Sequence, residues 1–387
     1  MPRPRVAIAH DYLTQRGGAE RVVLTLLEAF PDAVVHTTLY DPDSTYPQFR
    51  DARVVCSPLN RIGVFRRHHR AALPVLAPAA ARLRVDADVT VVSSSGWAHG
   101  FDIRGRSLVY CYSPARWLYQ TGDYLGGRTS SAAGLAVRAL RAPLVAWDKR
   151  AARSADRYLA ISKVVQERIR STYGLEADVV PAPHSMDASG EQEIVPELAD
   201  WADVGYHLVV SRLLPYKNVD KVVDALAPGP DRLVVIGRGP EEQALRARLH
   251  PRARLLSGLS DAQLRWVYAH SRLLLAPSFE DFGLTPLEAA SFGKPTVALR
   301  AGGYLDTIVE GRTGVFFERS EPAAIRAAVG EAEAIAWSGS ALTSHAARFT
   351  AGPFVERMRA EVTALADGGL AQEDLAGPDS SQNIDRS

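Results

Sequence analysis

Apolar residues fall along this chain in short runs separated by amphipathic stretches. Val6-Ala-Ile-Ala-His10 is one such run. Val34-Val-His-Thr-Thr38, Val89-Thr-Val-Val-Ser93, Ser107-Leu-Val-Tyr-Cys111 and Arg157-Tyr-Leu-Ala-Ile161 follow. Runs this short, rich in β-branched residues, fit strands buried on both faces. Between them the period lengthens. Val22, Val23, Leu26, Leu27 and Phe30 recur at helical spacing, and Ser162 stands as an N-cap before Val164, Val165 and Ile169. Alternation of this kind predicts parallel sheets covered by helices.

The pattern breaks between about 181 and 205, where Pro181-Ala-Pro-His184 and Asp187-Ala-Ser-Gly-Glu-Gln-Glu193 read as linker. It then restarts with Leu208–Ser211, Arg232–Gly237, Arg254–Leu256, Arg272–Ala276 and Thr296–Leu299. The expectation is an α/β protein of two Rossmann-like, doubly wound domains facing a central cleft, with ligands at the C-terminal ends of strands. One domain is expected over residues 1–190 and the other over 205–350. Residues 366–387 have no apolar face to pack and are expected to be disordered.

Composition narrows the function classes. With 387 residues and 47% hydrophobic content the chain can build two cores. Its 45 basic and 44 acidic side chains leave a net charge of +1, without the basic bias of a nucleic-acid binder. Cys56 and Cys111 are the only cysteines, and no Cys/His spacing suggests a metal. A reducing compartment is therefore expected. The opening MPRPRVAIAHDY lacks the apolar stretch and cleavage site of a signal peptide, and no run approaches the roughly 18 apolar residues of a membrane span. These features predict a cytoplasmic protein.

The densest chemistry lies in Ser278-Phe-Glu-Asp-Phe-Gly-Leu-Thr-Pro-Leu-Glu288. Glu280 falls in the loop after a strand. Thr285 fits an N-cap, Pro286 the first helical turn and Glu288 the third helical position. Alone, Thr285-Pro-Leu-Glu288 is a capping box, with Glu288 bonded back to the Thr285 backbone. Its surroundings favour a second reading. Arg212 and Lys217 follow the strand at 208–211, where they can neutralise a diphosphate leaving group. Ile236-Gly-Arg-Gly-Pro240 and Ala301-Gly302-Gly303 are further Gly-rich turns after strands.

Taken in order, Val210–Lys217, Val235–Pro240, Glu280–Ala289 and Gly302-Gly303 through Gly311-Arg-Thr-Gly314-Val-Phe-Phe resemble the C-terminal domain of retaining GT-B glycosyltransferases of glycosyltransferase family 4 (group 1, mannosyltransferase-like). The resemblance spans about 110 residues. It implies that Glu280 approaches the donor sugar and Glu288 the ribose. It further implies that Arg212 and Lys217 meet the diphosphate, and that the backbone N–H groups of Gly283, Leu284 and Thr285 hold sugar hydroxyls and phosphate. A metal-independent hexosyltransferase needing no cofactor beyond its nucleotide-sugar donor is implied. GDP-mannose is the donor suggested by analogy, with cell-envelope glycan assembly as the setting. A UDP-sugar on a lipid or secondary-metabolite acceptor, and a scaffold that binds donor without turnover, are the alternatives. The resemblance also implies a last helix, 351–365, that crosses back to the N-terminal domain.

The N-terminal half carries the acceptor side in this reading. Gly17 and Gly18, after the first strand, match the family loop that closes on donor phosphates. His10 ends that strand and is a candidate for the acceptor side, though a lone histidine also serves simple packing. In many relatives the segment Tyr110-Cys-Tyr112-Ser-Pro has histidine at the third position, close to the reacting carbon. Here that residue is Tyr112, and His99 in a neighbouring loop is a candidate substitute. Arg66-Arg-His-His-Arg70 and the apolar stretch after it read as a solvated helix face or as a peripheral docking patch. The second would meet anionic lipid at the inner membrane face, where a lipid-linked or glycan acceptor waits.

Overall fold

The computed structural model describes residues 4–67, 72–119 and 140–368. Two compact units emerge. The first takes residues up to Ala160, Val165–Val179 and the chain from Val355, and the second takes Ile161–Val164 and Val180–Phe354.

In the first unit β1 (Val6–His10), β2 (Val34–Thr37), β3 (Val54–Cys56), β4 (Arg84–Ser94), β5 (Asp102–Cys111), β6 (Arg157–Ala160) and β7 (Asp178–Val179) form one sheet in the order β3-β2-β1-β4-β5-β6-β7. In the second, β8 (Tyr206–Val210), β9 (Leu233–Ile236), β10 (Ala253–Leu256), β11 (Ser271–Ala276), β12 (Thr296–Leu299) and β13 (Gly314–Phe317) lie in the order β10-β9-β8-β11-β12-β13. Every strand pairing in both sheets is parallel. The strand order reverses between β1 and β4 in one sheet and between β8 and β11 in the other. At such a switch point the outgoing loops diverge and leave a crevice at the strands' C-terminal ends.

The predicted α/β doubly wound class is the observed one, and all the runs read as strands are strands. β3, β7 and β13 were not anticipated. All three are sheet edges; β3 and β7 have only three and two residues, and β13 lies inside the Gly311–Phe317 motif. β4 and β5 also begin earlier than their apolar runs, because Arg84–Asp88 alternates exposed and buried residues. The β4–β5 register shifts between Asp86 and Val89, opposite Gly105 at φ 95°. A Cβ on Gly105 would run into the Ala87 carbonyl.

The strand period of two sorts the second unit's core into layers. Val209, Val235, Leu255, Leu273 and Leu275 face one way, against Val222, Val223 and Leu226 of the helix Val219–Leu226 and Ile325 and Val329 of the helix Pro322–Ala334. Leu208, Val234, Ile236 and Leu274 face the other way, against Trp266, Val267 and Tyr268 of the helix Asp261–His270. Burying a Val or Leu side chain contributes about 1.5–3 kcal/mol, so these layers fix the register of β8 and β11. The loops that leave them are thereby anchored.

The last helix, Ala351–Ala366, buries Met358, Val362 and Leu365 at helical spacing. Within the first unit its Arg359 donates to the Ala29 carbonyl at 3.0 Å, and its Glu361 pairs with Arg157 at 2.7 Å. The expected disordered tail lies outside the described residues beyond 368. Part of the basic patch, 68–71, does so as well.

Candidate active site

In the second unit β8 ends at Val210 and delivers Arg212 and Lys217, while β11 ends at Ala276 and delivers Ser278, Glu280 and Gly283. The two loops are tied together. The Lys217 ammonium donates to the Glu280 carboxylate, and the Ser278 hydroxyl donates to the same oxygen at 2.9 Å. Asn218, in the left-handed region at φ 53°, donates its amide to the Pro277 carbonyl at 3.1 Å. Lys217 is buried with only its carboxylate partner to balance it, whereas Arg212 is exposed and has no ion-pair partner among the described residues.

Gly302 and Gly303 fix the other side of the Glu280 loop. The Gly303 N–H donates to the Glu280 carbonyl at 2.8 Å. A Cβ on Gly302 would collide with that carbonyl, and one on Gly303 with the Phe282 backbone. The glycines therefore let two backbones touch and hold the loop that carries Glu280.

The helix after this loop departs from the sequence reading. It runs Leu284–Ser291, and its N-cap is Gly283 at φ 93°, not Thr285. Thr285 is thus the second helical residue, Pro286 the third, and Glu288 the fifth, two residues too far in for a capping box. The reason is Gly283: its left-handed backbone turns the chain into the helix two residues early, a position where a side chain is strained. A true capping box stands elsewhere, at Ser260 and Gln263. Leu284 and Thr285, as the first helical residues, have no intrahelical acceptor for their N–H groups. Neither group donates to a carbonyl among the described residues, so two donors at the positive end of the helix stay available.

Glu288 is positioned from the neighbouring helix: its carboxylate accepts a 2.7 Å hydrogen bond from the Tyr268 hydroxyl. Tyr268 is fully buried, and burial, followed by the charge of Glu288, pushes its pKa well above the ordinary phenol value. It therefore stays a donor. Tyr268 escaped the sequence reading because a tyrosine on a helix looks like core, and only the packing of two helices reveals its partner.

In the first unit the crevice end of β1 and β4 is a closed polar network. His10 and Ser93 sit opposite each other in the β1–β4 register. His10 Nδ1 lies 3.0 Å from both the carbonyl and the hydroxyl of Ser93. A carbonyl only accepts, so Nδ1 carries the hydrogen and Nε2 of a neutral ring is left as acceptor. The Ser93 hydroxyl continues to the Tyr112 hydroxyl at 2.9 Å, and Tyr112 reaches the Ala19 carbonyl at 3.4 Å. Burial, above all, raises the Tyr112 pKa far above its ordinary value, so this residue is a neutral hydrogen-bonding group and not a base. Gly17 is the extended N-cap of the helix Gly18–Ala29, and the Glu20 carboxylate lies against it. Glu20 is nearly fully buried with Oε2 unpartnered, and burial raises its pKa against the opposing pull of His10.

Asp11, beside His10, was also missed. It is buried and accepts backbone N–H bonds from Ser95 at 2.6 Å, Trp97 at 2.8 Å and Ala98 at 2.7 Å. It binds the β4 exit loop to the β1 exit loop. An acid in a loop reads as solvated, and nothing in the local sequence marks this one as buried.

His99 is placed differently from the other candidates. Its Nε2 lies 2.9 Å from Asp148, itself wholly buried and bonded by the Tyr119 hydroxyl at 2.8 Å. Its Nδ1 lies 3.3 Å from Ser94. Burial lowers the His99 pKa, but the charge and hydrogen bond of Asp148 outweigh it, and the net shift is upward. With both nitrogens committed, His99 braces the short helix Ala98–Gly100 against the helix Arg141–Arg153.

Among the described residues one group has metal-ligand spacing: His207, Asp231 and Glu333. Arg272 already pairs with both carboxylates, at 3.7 Å to Asp231 and closer to Glu333. The group stands at the N-terminal ends of β8, β9 and β11, away from the loops above.

The chain is similar to known proteins in sequence and in fold. The family model described as glycosyl transferases group 1 matches residues 197–336, and that of Glycosyltransferase Family 4 matches residues 16–189. A glycogen synthase from Pseudomonas aeruginosa is 42% identical over 118 residues, 28% of this chain and 23% of that protein. A second, from Pseudomonas fluorescens, is 34% identical over 155 residues, 38% of this chain and 30% of that protein. The matches thus span about a quarter of the length of these curated relatives. Among solved structures, sucrose-phosphate synthase from Thermosynechococcus elongatus aligns with a TM-score of 0.68 at 17% identity, over 94% of this chain and 100% of that one. Anabaena HepE, solved with UDP-glucose, aligns with a TM-score of 0.64 at 16% identity, over 93% of this chain and 100% of that one. With family models on both halves and two all-parallel sheets of this order, the chain belongs to the group 1 GT-B glycosyltransferases.

Proposed function

We propose that this glycosyltransferase moves a hexose from a nucleoside diphosphate sugar to a glycan or lipid-linked acceptor, with retained configuration and without a metal ion. The observation that carries the proposal is the coupling of Lys217 to Glu280 beside Arg212 and the unpaired N–H groups of Leu284 and Thr285. A departing diphosphate needs positive charge placed before it leaves. Two cations and a helix N-terminus supply that charge. Glu280 then holds Lys217 until the donor arrives and turns to the sugar hydroxyls. Glu288, steadied by Tyr268, takes the ribose hydroxyls. On the first unit, His10 and Tyr112 contribute to acceptor recognition, with Nε2 of His10 available to a sugar hydroxyl and the exposed Gly18 open to phosphate, while Glu20 covers Gly17.

GDP-mannose is the donor favoured by the resemblance of the sequence motifs. A second reading, a UDP- or ADP-linked glucose, rests on the glycogen synthase relatives and on the UDP-glucose held by HepE. Peripheral docking to anionic membrane remains part of the proposal: Arg66 and Arg67 are exposed, as are Ile62, Val64 and Val75. No helix among the described residues is long and apolar enough to cross a membrane.

Transfer assays with GDP-mannose, UDP-glucose and ADP-glucose, with chelator present and product anomers read by NMR, test the reading. One donor should support turnover and give the donor's anomeric configuration. An inverted product, or turnover abolished by chelation, would remove the retaining or the metal-free part. Saturable donor binding without transfer to any acceptor would favour the scaffold alternative.

A further inference from the structure

The second unit contains a cavity of about 430 Å³ whose lining includes Arg312, Thr313, Ser340, Ser344, His345 and Arg348. No carboxylate lines it. Residues 309–313 enter β13 at its N-terminal end, whereas the Arg212 and Glu280 loops leave the C-terminal ends of β8 and β11. The cavity therefore sits at the opposite end of the sheet from the donor loops.

Its charge is uncompensated. Neither Arg312 nor Arg348 has an acidic partner among the described residues, and the nearest acid in sequence, Glu310, is engaged by Arg300 at 2.9 Å. His345 donates Nε2–H to the Thr307 carbonyl at 2.8 Å, and Arg348 donates to its Nδ1 at 2.7 Å. Burial, then the two guanidiniums, hold its pKa below the ordinary imidazole value against the pull of Thr307. The ring is neutral and aims Arg348. The Ser344 hydroxyl has no partner among the described residues. Two fork-shaped cations in a concave, hydroxyl-lined site match a dianion with several acceptor oxygens. The volume falls within the range typical of small-molecule sites.

We propose that this cavity binds a phosphate group with two or more free oxygens, with Arg312 and Arg348 on those oxygens and the hydroxyls of Ser340 and Ser344 beside them. Free inorganic phosphate and a small polyol phosphate are the two possible sources of that chemistry.

Calorimetry on the full chain tests it, with inorganic phosphate, glycerol 3-phosphate and glycerol as probes at low ionic strength. At least one phosphate probe should bind saturably, more weakly as salt rises, and glycerol should not bind. The tighter of the two phosphates identifies the source. An Arg312→Ala/Arg348→Ala double variant, altered only at exposed positions, should weaken that binding at least tenfold, while Lys217→Ala should leave it unchanged. Absence of saturable phosphate binding, or equal binding by the double variant, would overturn the proposal. Loss of binding in Lys217→Ala would also overturn it, by assigning the phosphate to the donor loops.

Discussion

The two units carry the same strand order and place their chemistry at the same switch point, yet they finish it differently. In the first, His10, Asp11, Ser93 and Tyr112 are buried and mostly bonded to one another and to backbone. In the second, Lys217 and Glu280 hold each other, Arg212 is free in solvent, and two helix N–H groups are unpaired. A doubly wound sheet thus fixes where loops diverge, not what they do there. One unit uses its crevice residues to build a rigid floor. The other keeps charge available for a ligand.

That contrast can be broken most severely at Asp11. Asp11→Ala leaves the N–H groups of Ser95, Trp97 and Ala98 without their acceptor and should cost about 1–3 kcal/mol in chemical denaturation for each buried donor left unsatisfied. A cost near zero would mean that the first unit's network is not a scaffold. Lys217→Ala should do the reverse. Its expected loss is about 100- to 1,000-fold in kcat, the effect of deleting one preorganised charge-stabilising group, with a smaller loss of stability than in Asp11→Ala, because Glu280 stays partly exposed and keeps its bond from Ser278. If stability fell while kcat held, Lys217 would be a structural ion-pair member and the units would be alike. Tyr268→Phe removes one hydrogen bond from Glu288 and should weaken donor affinity by about 1 kcal/mol, roughly fivefold, without changing kcat. An unaltered Kd would detach Glu288 from the donor.

The smallest effect is one of pH. His99 has a raised folded-state pKa, so folding favours its protonated form. The stabilisation from its pairing with Asp148 is full below the unfolded imidazole value of about 6.5 and is lost as pH rises through the higher folded value. The stability difference between wild type and His99→Gln should therefore narrow as pH rises above about 6.5. A gap that widened would reverse the assigned direction of the shift.

How much of this was legible in the sequence differs between backbone and side chains. The buried strands could be read because parallel sheets demand apolar runs, whereas β3 and β7 have only three and two residues, and β13 was hidden inside the Gly311–Phe317 motif. Arg212, Lys217, Glu280 and Glu288 were legible as a spaced set, since all four lie in the segments that follow the strands at 206–210 and 271–276. The pairing of Lys217 with Glu280 was not, because 63 residues separate them and only the β8–β11 neighbourhood brings them together. The capping box at Thr285 failed on one residue: the left-handed backbone of Gly283 starts the helix early. Asp11, Glu20 and Tyr268 share one reason for being missed. Their roles come from burial, and a lone acid or tyrosine gives no local sign of it.

The central claim is that the second unit holds a nucleoside diphosphate sugar through Lys217, Glu280 and Arg212. Calorimetric titration of the full chain, Lys217→Ala and Arg212→Ala against GDP-mannose, UDP-glucose and ADP-glucose tests it most directly. Saturable binding of one donor by the wild type, weakened at least tenfold in both variants, is the predicted result. Binding to none of the three, or binding undiminished in both variants, would contradict it.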